Sequence, residues 1–341
     1  MERQGGYGQL IIHPDFYKVL EDLKKVNVNI NVQEDIEPSS YEDSEIFPEG
    51  NVYLSETSEA KDLNPVAGYE NINKNSHALC AYDESLIKIP ALEGTGYFFS
   101  HALVILSKDA YVPIVDLTFY FFTRSKNLAD GKNKIIYSKD VTVDSKRVYI
   151  KDKSFLLENY TPNNSILLLD GPLIGGHLSN DSIELNGHLL NKNIIPVFLV
   201  KNSGSTLVVD NFKELKDNYN SDFEWALKTL KNGQRTPLIL YEDKHNKNNN
   251  KYFTYIKAFD FNIIRVEFHS ETWKRYKNDI NAIFDIIFYE LLSHGDKNPQ
   301  PKIVAIAENY AREILNIINV KNILREIGVT PTMNYTRFGW G

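Results

Sequence analysis

Hydrophobic and polar positions divide the chain into short apolar runs separated by polar segments. Runs rich in aromatic and β-branched residues predict strands at 77–82, 96–106 and 112–122. The apolar run at 165–169 predicts a fully buried strand, and so does the run at 195–200. These five strands form the predicted centre of the protein.

Segments with helical periodicity lie between the later predicted strands. Segments 151–159 and 181–190 predict helices, which gives the order β-β-β-α-β-α-β along the middle of the chain. Three consecutive strands followed by alternating units predict an α/β protein with a mixed sheet covered by helices on both faces. Outside this region the pattern predicts a short amphipathic helix at Phe16–Lys25, strands at 252–257 and 263–268, and C-terminal helices at 272–292 and 302–327.

Composition narrows the class of protein. The 341 residues are 42% hydrophobic and 24% charged, which is typical of a globular protein. No apolar run approaches the roughly 18 residues of a membrane helix, and the N-terminus lacks the apolar stretch of a secretory signal. Cys80 is the single cysteine, so an intrachain disulfide and a thiolate zinc site are excluded. We therefore expect a cytoplasmic protein with no membrane contact.

The net charge of −7 argues at first against nucleic-acid binding, because phosphate contacts require Lys and Arg. Segment 34–62, however, holds ten acids and one base. Subtracting its charge of −9 leaves about +2 for the rest of the chain. The segment is also rich in Pro and Ser, so we expect an N-terminal helix and acidic arm over 1–75, outside the catalytic core, and one main domain over 76–341.

Two aspartates directly follow predicted strands. Asp83 ends the first strand of the series and Asp170 ends the fourth. Ligands of open α/β sheets gather at the carboxyl ends of strands. Two carboxylates fixed there could bind Mg²⁺ or Mn²⁺, which prefer oxygen ligands, and could support phosphodiester hydrolysis. The alternative is that each Asp only begins a turn.

An acid after the first strand and another after the fourth resemble a ribonuclease H-like core. Such cores usually add a Glu from the intervening helix and a further acid or His from a late helix. The intervening helix offers Asp152 and Glu158, and spacing does not choose between them, while the late helix offers Glu308. Asp152 and Glu158 could each equally be a solvated surface acid, and Glu308 could belong only to a surface ion pair with Arg312, four residues later. Lys201, just beyond a strand, could meet a scissile phosphate or belong to a polar turn.

Three further segments carry a specific resemblance. Residues 166–173 read ILLLDGPL, residues 195–205 read IPVFLVKNSGS, and residues 299–312 read PQPKIVAIAENYAR. Together they resemble, in the same order, the motifs of the NurA family of DNA-end-processing nucleases. One departure is the first motif, commonly Asp-Gly-Ser, which reads Asp-Glu-Ser from Asp83 onward.

The resemblance implies Mn²⁺- or Mg²⁺-dependent hydrolysis of DNA by a homodimer that works with a HerA-type hexameric ATPase. The implied metal ligands are Asp83, Asp170, Glu158 and Glu308, while Asp152 and Lys201 remain further catalytic candidates. A second hypothesis is a catalytically inactive NurA-like adaptor on a ring ATPase. A third is a structural α/β module whose aspartates only form turns.

Overall fold

The computed structural model describes residues 9–25, 50–74, 77–108, 110–174, 179–201, 203–216, 218–297 and 300–326. Thirteen strands of this part form one mixed sheet. They are β1 Gln9–Ile12, β2 Gly50–Leu54, β3 Lys61–Asp62, β4 Ala78–Pro90, β5 Thr95–Ser107, β6 Ala110–Thr123, β7 Ile135–Tyr137, β8 Ser165–Asp170, β9 Ile194–Val200, β10 Gln234–Arg235, β11 Ile239–Asp243, β12 Lys251–Phe259 and β13 Asn262–His269. The helices are α1 Phe16–Lys25, α2 Pro65–Lys74, α3 Lys126–Ala129, α4 Val141–Tyr160, α5 Ser179–Asn191, α6 Leu207–Asn211, α7 Asp222–Thr229, α8 Ser270–Tyr276, α9 Ile280–His294, α10 Lys302–Ile318 and α11 Val320–Glu326.

The centre of the sheet has the strand order β6–β5–β4–β8–β9. Strand β5 is antiparallel to both β4 and β6, whereas β8 is parallel to both β4 and β9. Helix α4 precedes β8, and α5 connects β8 to β9. The predicted order of three strands followed by two helix–strand units is therefore confirmed, with the short α3 and β7 inserted before α4.

Helices cover both faces of this sheet. On one face, Ile166 of β8 packs in a core with Phe284 of α9 and with residues of α10. On the other face, Leu167 of β8 packs with Leu156 of α4 and with residues of α5. Alternation along a strand thus assigns each side chain to the α9/α10 face or the α4/α5 face. No helix within the described ranges is long and apolar enough to cross a membrane.

Strand β4 is longer than predicted. The sequence pattern ended it at Asp83, but it continues to Pro90, so the prediction that Asp83 follows the strand was wrong. The physical reason is its antiparallel partner, since β5 pairs along the whole length and sets Ala102 opposite Asp83. Cross-strand pairing satisfies the backbone of the polar Asp-Glu-Ser stretch, which local composition does not reveal.

The C-terminal helices are shorter than predicted. The single helix expected at 272–292 is divided into α8 and α9, and the helix expected at 302–327 is divided into α10 and α11. The second division lies at Asn319, which adopts a left-handed conformation with φ of 47°. Asn tolerates this conformation better than most residues, so it ends α10 without a glycine.

Residues 50–74 contribute two strands and a helix to the fold, although composition assigned them to the acidic arm. Strand β2 pairs with β11, and β3 pairs with β10. Helix α2 packs on α9 so closely that a Cβ at Gly68 would lie 2.1 Å from the carbonyl oxygen of Asp285. Composition missed this because the pairing partners lie far away in sequence. The remainder of the predicted arm, at 34–49, lies outside the described residues.

Candidate functional site at the ends of the parallel strands

Strand register brings Asp83 and Asp170 together. Parallel pairing sets Ala81 opposite Leu168 and Tyr82 opposite Leu169, so the next positions are Asp83 and Asp170. Alternation directs both side chains to the α9/α10 face, because Ala81 and Leu168 belong to the core on that face. The two carboxylates are therefore neighbours on adjacent strands.

The Asp83 carboxylate is buried, and only one of its two oxygens has a hydrogen-bond partner among the described residues. Its side chain is only 4% exposed, and Oδ1 accepts a hydrogen bond of 2.7 Å from the backbone N–H of Glu84. Within the described residues Oδ2 is buried with no hydrogen-bond partner. Burial, followed by the negative charges of Asp170 and Glu84, raises the pKa of Asp83 well above its ordinary value, and Lys201 only partly opposes this effect.

Lys201 occupies the space beside the two aspartates, one residue after β9. Its Nζ lies 2.8 Å from Asp170 Oδ2 and 3.9 Å from Glu308 Oε2, and it donates a hydrogen bond of 2.7 Å to Gln300 Oε1. Burial alone would lower the pKa of this ammonium. The nearby carboxylates, led by Asp170 and Asp83, outweigh burial and raise it. Lys201 therefore neutralises part of the negative charge at the strand ends.

The entry to α10 completes the cluster. Glu308 lies on α10, where Oε2 accepts a 2.7 Å hydrogen bond from Gln300 Nε2 and Oε1 accepts one of 2.9 Å from Arg312. Gln300 is only 1% exposed and joins Glu308 to Lys201. Gln300 lies in the segment 299–312 that carries the resemblance, but it was not among the candidate residues. Thus the structure brings Glu308 and Lys201 to Asp170.

Asp152 does not join this cluster. It lies on α4, where it accepts hydrogen bonds of 2.8 Å from Thr118 Oγ1 and 2.8 Å from Tyr120 OH, both on β6. Burial raises its pKa, while these hydrogen bonds and the charge of Lys134 oppose the increase. Its partners on β6 lie two strands away from β4, which carries Asp83, and three from β8, which carries Asp170. This position does not support the expectation that Asp152 acts beside Asp83.

Glu158 also lies elsewhere. Its Oε1 is 2.9 Å from His188 Nδ1 on α5, and its backbone carbonyl accepts a hydrogen bond from Lys192. Its side chain is 32% exposed. Glu158 therefore bridges α4 and α5 near the surface, and its position does not support the predicted role as the helical metal ligand.

A buried ion cluster supports the loops beyond β8 and β9. Glu267 Oε1 lies 2.5 Å from Lys251 Nζ and 2.8 Å from Arg265 Nε, and all three side chains are fully buried. Glu267 Oε2 accepts a 2.9 Å hydrogen bond from the backbone N–H of Leu173, three residues after Asp170. Arg265 and Glu267 lie two residues apart on β13, so their side chains share one face of the strand and form an ion pair there. The cluster fixes the chain segment that leaves the site.

The donor set suits a hard divalent cation. Asp83, Asp170 and Glu308 offer only oxygen atoms, and Asp83 Oδ2 has no hydrogen-bond partner among the residues that the structure describes. In the regions that the structure describes, however, no three His, Cys, Asp or Glu side chains are grouped closely enough to hold a metal ion. The ammonium of Lys201 lies where the acids meet, so a cation bound by Asp170 would compete with it.

The fold and the site define a class: a mixed α/β protein with acids and one lysine at the ends of parallel strands. The chain belongs to the NurA domain family, whose model matches residues 120–313. Among solved structures, it is similar to the NurA nuclease from Sulfolobus solfataricus at 12% identity, covering 82% of this chain and 86% of that one with a TM-score of 0.48. It is also similar to Ciona intestinalis endonuclease V in complex with a 23mer DNA, at 15% identity, 71% and 86% coverage and a TM-score of 0.35. No curated protein matches it.

Proposed function

We propose that this NurA-family protein is a metal-dependent DNA nuclease with a ribonuclease H-like fold. The observation that carries the proposal is the position of Asp83 and Asp170, one residue beyond the paired Tyr82 and Leu169 on adjacent parallel strands, together with a buried oxygen of Asp83 that has no partner among the described residues. The strand order β6–β5–β4–β8–β9, with the first three antiparallel and the last three parallel, supports the fold assignment.

Asp83 and Asp170 would hold Mn²⁺ or Mg²⁺. When bound, the cation supplies positive charge to the scissile phosphate and lowers the pKa of water. The chain's own residues do the remaining work. Lys201 neutralises part of the charge of Asp170 and would offer its ammonium to a phosphate oxygen of bound DNA. Glu308 and Gln300 orient Lys201 from α10.

We further propose that the protein acts in the cytoplasm as a homodimer with a HerA-type hexameric ATPase. The support is family membership together with charge. Outside segment 34–62 the chain carries about +2, and non-specific DNA affinity comes mainly from phosphate neutralisation. A weak DNA binder gains from a translocating partner that raises the local concentration of substrate.

A second candidate is an inactive adaptor on a ring ATPase. Two observations favour it. The ammonium of Lys201 already pairs with the carboxylate of Asp170. In addition, the described residues contain no group of three side chains that could hold a metal ion. An adaptor would retain the fold and the ATPase contact without cleaving DNA.

Cleavage assays separate the two candidates. Purified full-length chain is incubated with linear and single-stranded DNA in Mn²⁺, Mg²⁺ or EDTA. The nuclease predicts cleavage with a divalent cation and none with EDTA, whereas complete inactivity in every metal identifies the adaptor. Cleavage that continues in EDTA contradicts the metal-dependent mechanism.

Assembly is tested separately. Light scattering at micromolar concentration gives twice the chain mass if the protein is a homodimer, and the monomer mass contradicts that proposal. Co-purification with a co-expressed HerA-type ATPase supports the partnership, whereas full processive degradation of long DNA by the isolated chain contradicts the need for one.

A further inference from the structure

The chain leaves the sheet directly after two charged residues of the candidate site. Asp170 is the last residue of β8, and Gly171 then turns the backbone with a φ of 97°. Lys201 is the first residue after β9. Because sheet pairing ends near these residues, the distance between Asp170 and Lys201 also depends on what supports the chain beyond them.

Glu267 supports the segment after β8. Its Oε2 accepts a hydrogen bond of 2.9 Å from the backbone N–H of Leu173. Its Oε1 accepts hydrogen bonds of 2.5 Å from Lys251 Nζ and 2.8 Å from Arg265 Nε. Burial alone would raise the pKa of this carboxyl group, but the two cations outweigh burial and lower it. An ionised carboxylate, held in place by two cations, thus anchors the turn that follows Asp170.

Arg265 extends this support to the segment after β9. It pairs across the sheet with Val200, the residue before Lys201, and donates a long hydrogen bond of 3.5 Å to Ser203 Oγ. Ser203 Oγ also accepts a hydrogen bond of 3.0 Å from the backbone N–H of Ser205. The turn that follows Lys201 therefore contacts the same arginine that pairs with Glu267.

Asp222 fixes the far end of this second turn. It is fully buried, and its Oδ2 accepts hydrogen bonds of 2.9 Å from Ser205 Oγ and 3.0 Å from Tyr255 OH. Tyr255 lies on β12 directly opposite Arg265. Buried polar groups thus anchor the segments after β8 and β9 on the neighbouring strands β12 and β13.

We infer that Glu267 is a positioning residue of the candidate site and, together with Arg265, fixes Asp170 relative to Lys201. This inference rests on the proposed function. Displacement of a catalytic group by about 1 Å can reduce a rate about a hundredfold, so the loss of this support should be visible in catalysis.

Glu267 acts from the other side of the sheet. It lies opposite Phe198, whose side chain packs on the α4/α5 face, whereas the Asp170 side chain points to the α9/α10 face. Glu267 therefore contacts neither the proposed cation nor DNA. Its influence reaches the site through the backbone of Leu173 and through Arg265.

The test is cleavage of end-labelled linear DNA by the full chain in saturating Mn²⁺, with kcat and KM measured separately. In Glu267→Gln an amide oxygen replaces only one of the two carboxylate oxygens, so the donors at the other oxygen lose their acceptor. We expect kcat to fall by at least about tenfold, because Asp170 and Lys201 are displaced. KM for DNA should stay within about twofold of the wild-type value, because Glu267 does not contact the substrate.

Glu56→Gln is the matched control. It removes the carboxylate partner of buried Arg235 on β10, two strands beyond β13, and so weakens another ion pair without changing the ends of β8 and β9. At a temperature where circular dichroism shows both variants folded, Glu56→Gln should keep the wild-type kcat. Equal kcat in the two variants would overturn the inference, because a loss of stability would then account for any effect.

Ser203→Ala decides the question if Glu267→Gln does not fold. It removes only the hydroxyl between Arg265 and the Ser205 N–H, and it should lower kcat by about threefold at unchanged KM, as the loss of one ordinary hydrogen bond does. A wild-type kcat in Ser203→Ala would overturn the inference. A wild-type chain that does not cleave DNA in Mn²⁺ refutes the proposed function itself, whereas an active wild type with an equally active Glu267→Gln refutes only the role of Glu267.

Discussion

Asp116 offers a test of the electrostatics inside the sheet that does not depend on the proposed activity. It lies on β6, pairs across the sheet with His101 and is only 2% exposed. Burial, followed by the negative charge of Asp152, raises the pKa of Asp116 to about 7, and Lys134 only partly opposes the increase. An ionised Asp116 therefore destabilises the folded protein.

The size of this effect follows from linkage. A carboxyl group with a pKa raised from 3.8 to about 7 contributes stability at low pH that is lost as the pH rises through about 7. Taking about 1.4 kcal/mol per pH unit, the loss between pH 5 and pH 8 is on the order of 2–3 kcal/mol. Asp116→Asn has no proton to lose, so its stability relative to the wild type should increase by that amount over the same interval.

The measurement is urea unfolding of the wild type and Asp116→Asn at pH 5 and pH 8. The relevant quantity is the change in the difference between the two proteins, because the substitution also alters packing equally at both pH values. Asp210→Asn, at an exposed position of α6, serves as the control. A wild-type–variant difference that is the same at pH 5 and pH 8 would refute the assignment of the raised pKa to Asp116.

Two substitutions test other charged contacts. Lys201→Met removes the ammonium 2.8 Å from Asp170, so we expect the free energy of unfolding in EDTA, measured with urea, to fall by about 1 kcal/mol. Because the ammonium no longer competes with the cation, Mn²⁺ should stabilise this variant more than it stabilises the wild type. Equal stabilisation of both proteins by Mn²⁺ would contradict that competition. Glu56→Gln removes the negative charge that pairs with the buried guanidinium of Arg235, which then keeps only neutral acceptors such as Asn281. It should lower the free energy of unfolding by about 3 kcal/mol, whereas exposed Glu59→Gln should leave it unchanged. No loss at Glu56 would contradict the inclusion of residues 50–62 in the fold.

Local patterns predicted the elements that depend on local sequence. Helix α1 has the predicted bounds because its apolar stripe, which includes Phe16 and Leu23, is confined to one face. Strand β8 was predicted from its apolar composition, and Asp170 was placed correctly at its end because Gly171 turns the chain with a φ of 97°. The neighbouring position of Asp83, in contrast, depends on the parallel register of β4 with β8, which no local pattern contains.

Helix α4 shows why the helical acid was misplaced. Its buried face includes Asp152 and Lys153 as well as Leu156, so polar residues interrupt the apolar stripe by which a helix face is recognised. Sequence spacing therefore could not distinguish the surface position of Glu158 from a site position. Gln300 was not predicted as a site residue, because nothing in the local sequence distinguishes its uncharged amide. Its hydrogen bond to Lys201 depends on the tertiary position of the segment that enters α10.

Hydrolysis of end-labelled linear DNA by Asp170→Asn in saturating Mn²⁺ tests the central claim most directly. Asn preserves the shape at the end of β8 but lacks the charge that a cation requires. With a Tm within a few degrees of the wild type, the variant should cleave at least about a hundredfold more slowly, in the range found when one electrostatic contact to a transition state is removed. Wild-type cleavage by a well-folded Asp170→Asn protein would contradict the assignment of Asp170 to the cation site.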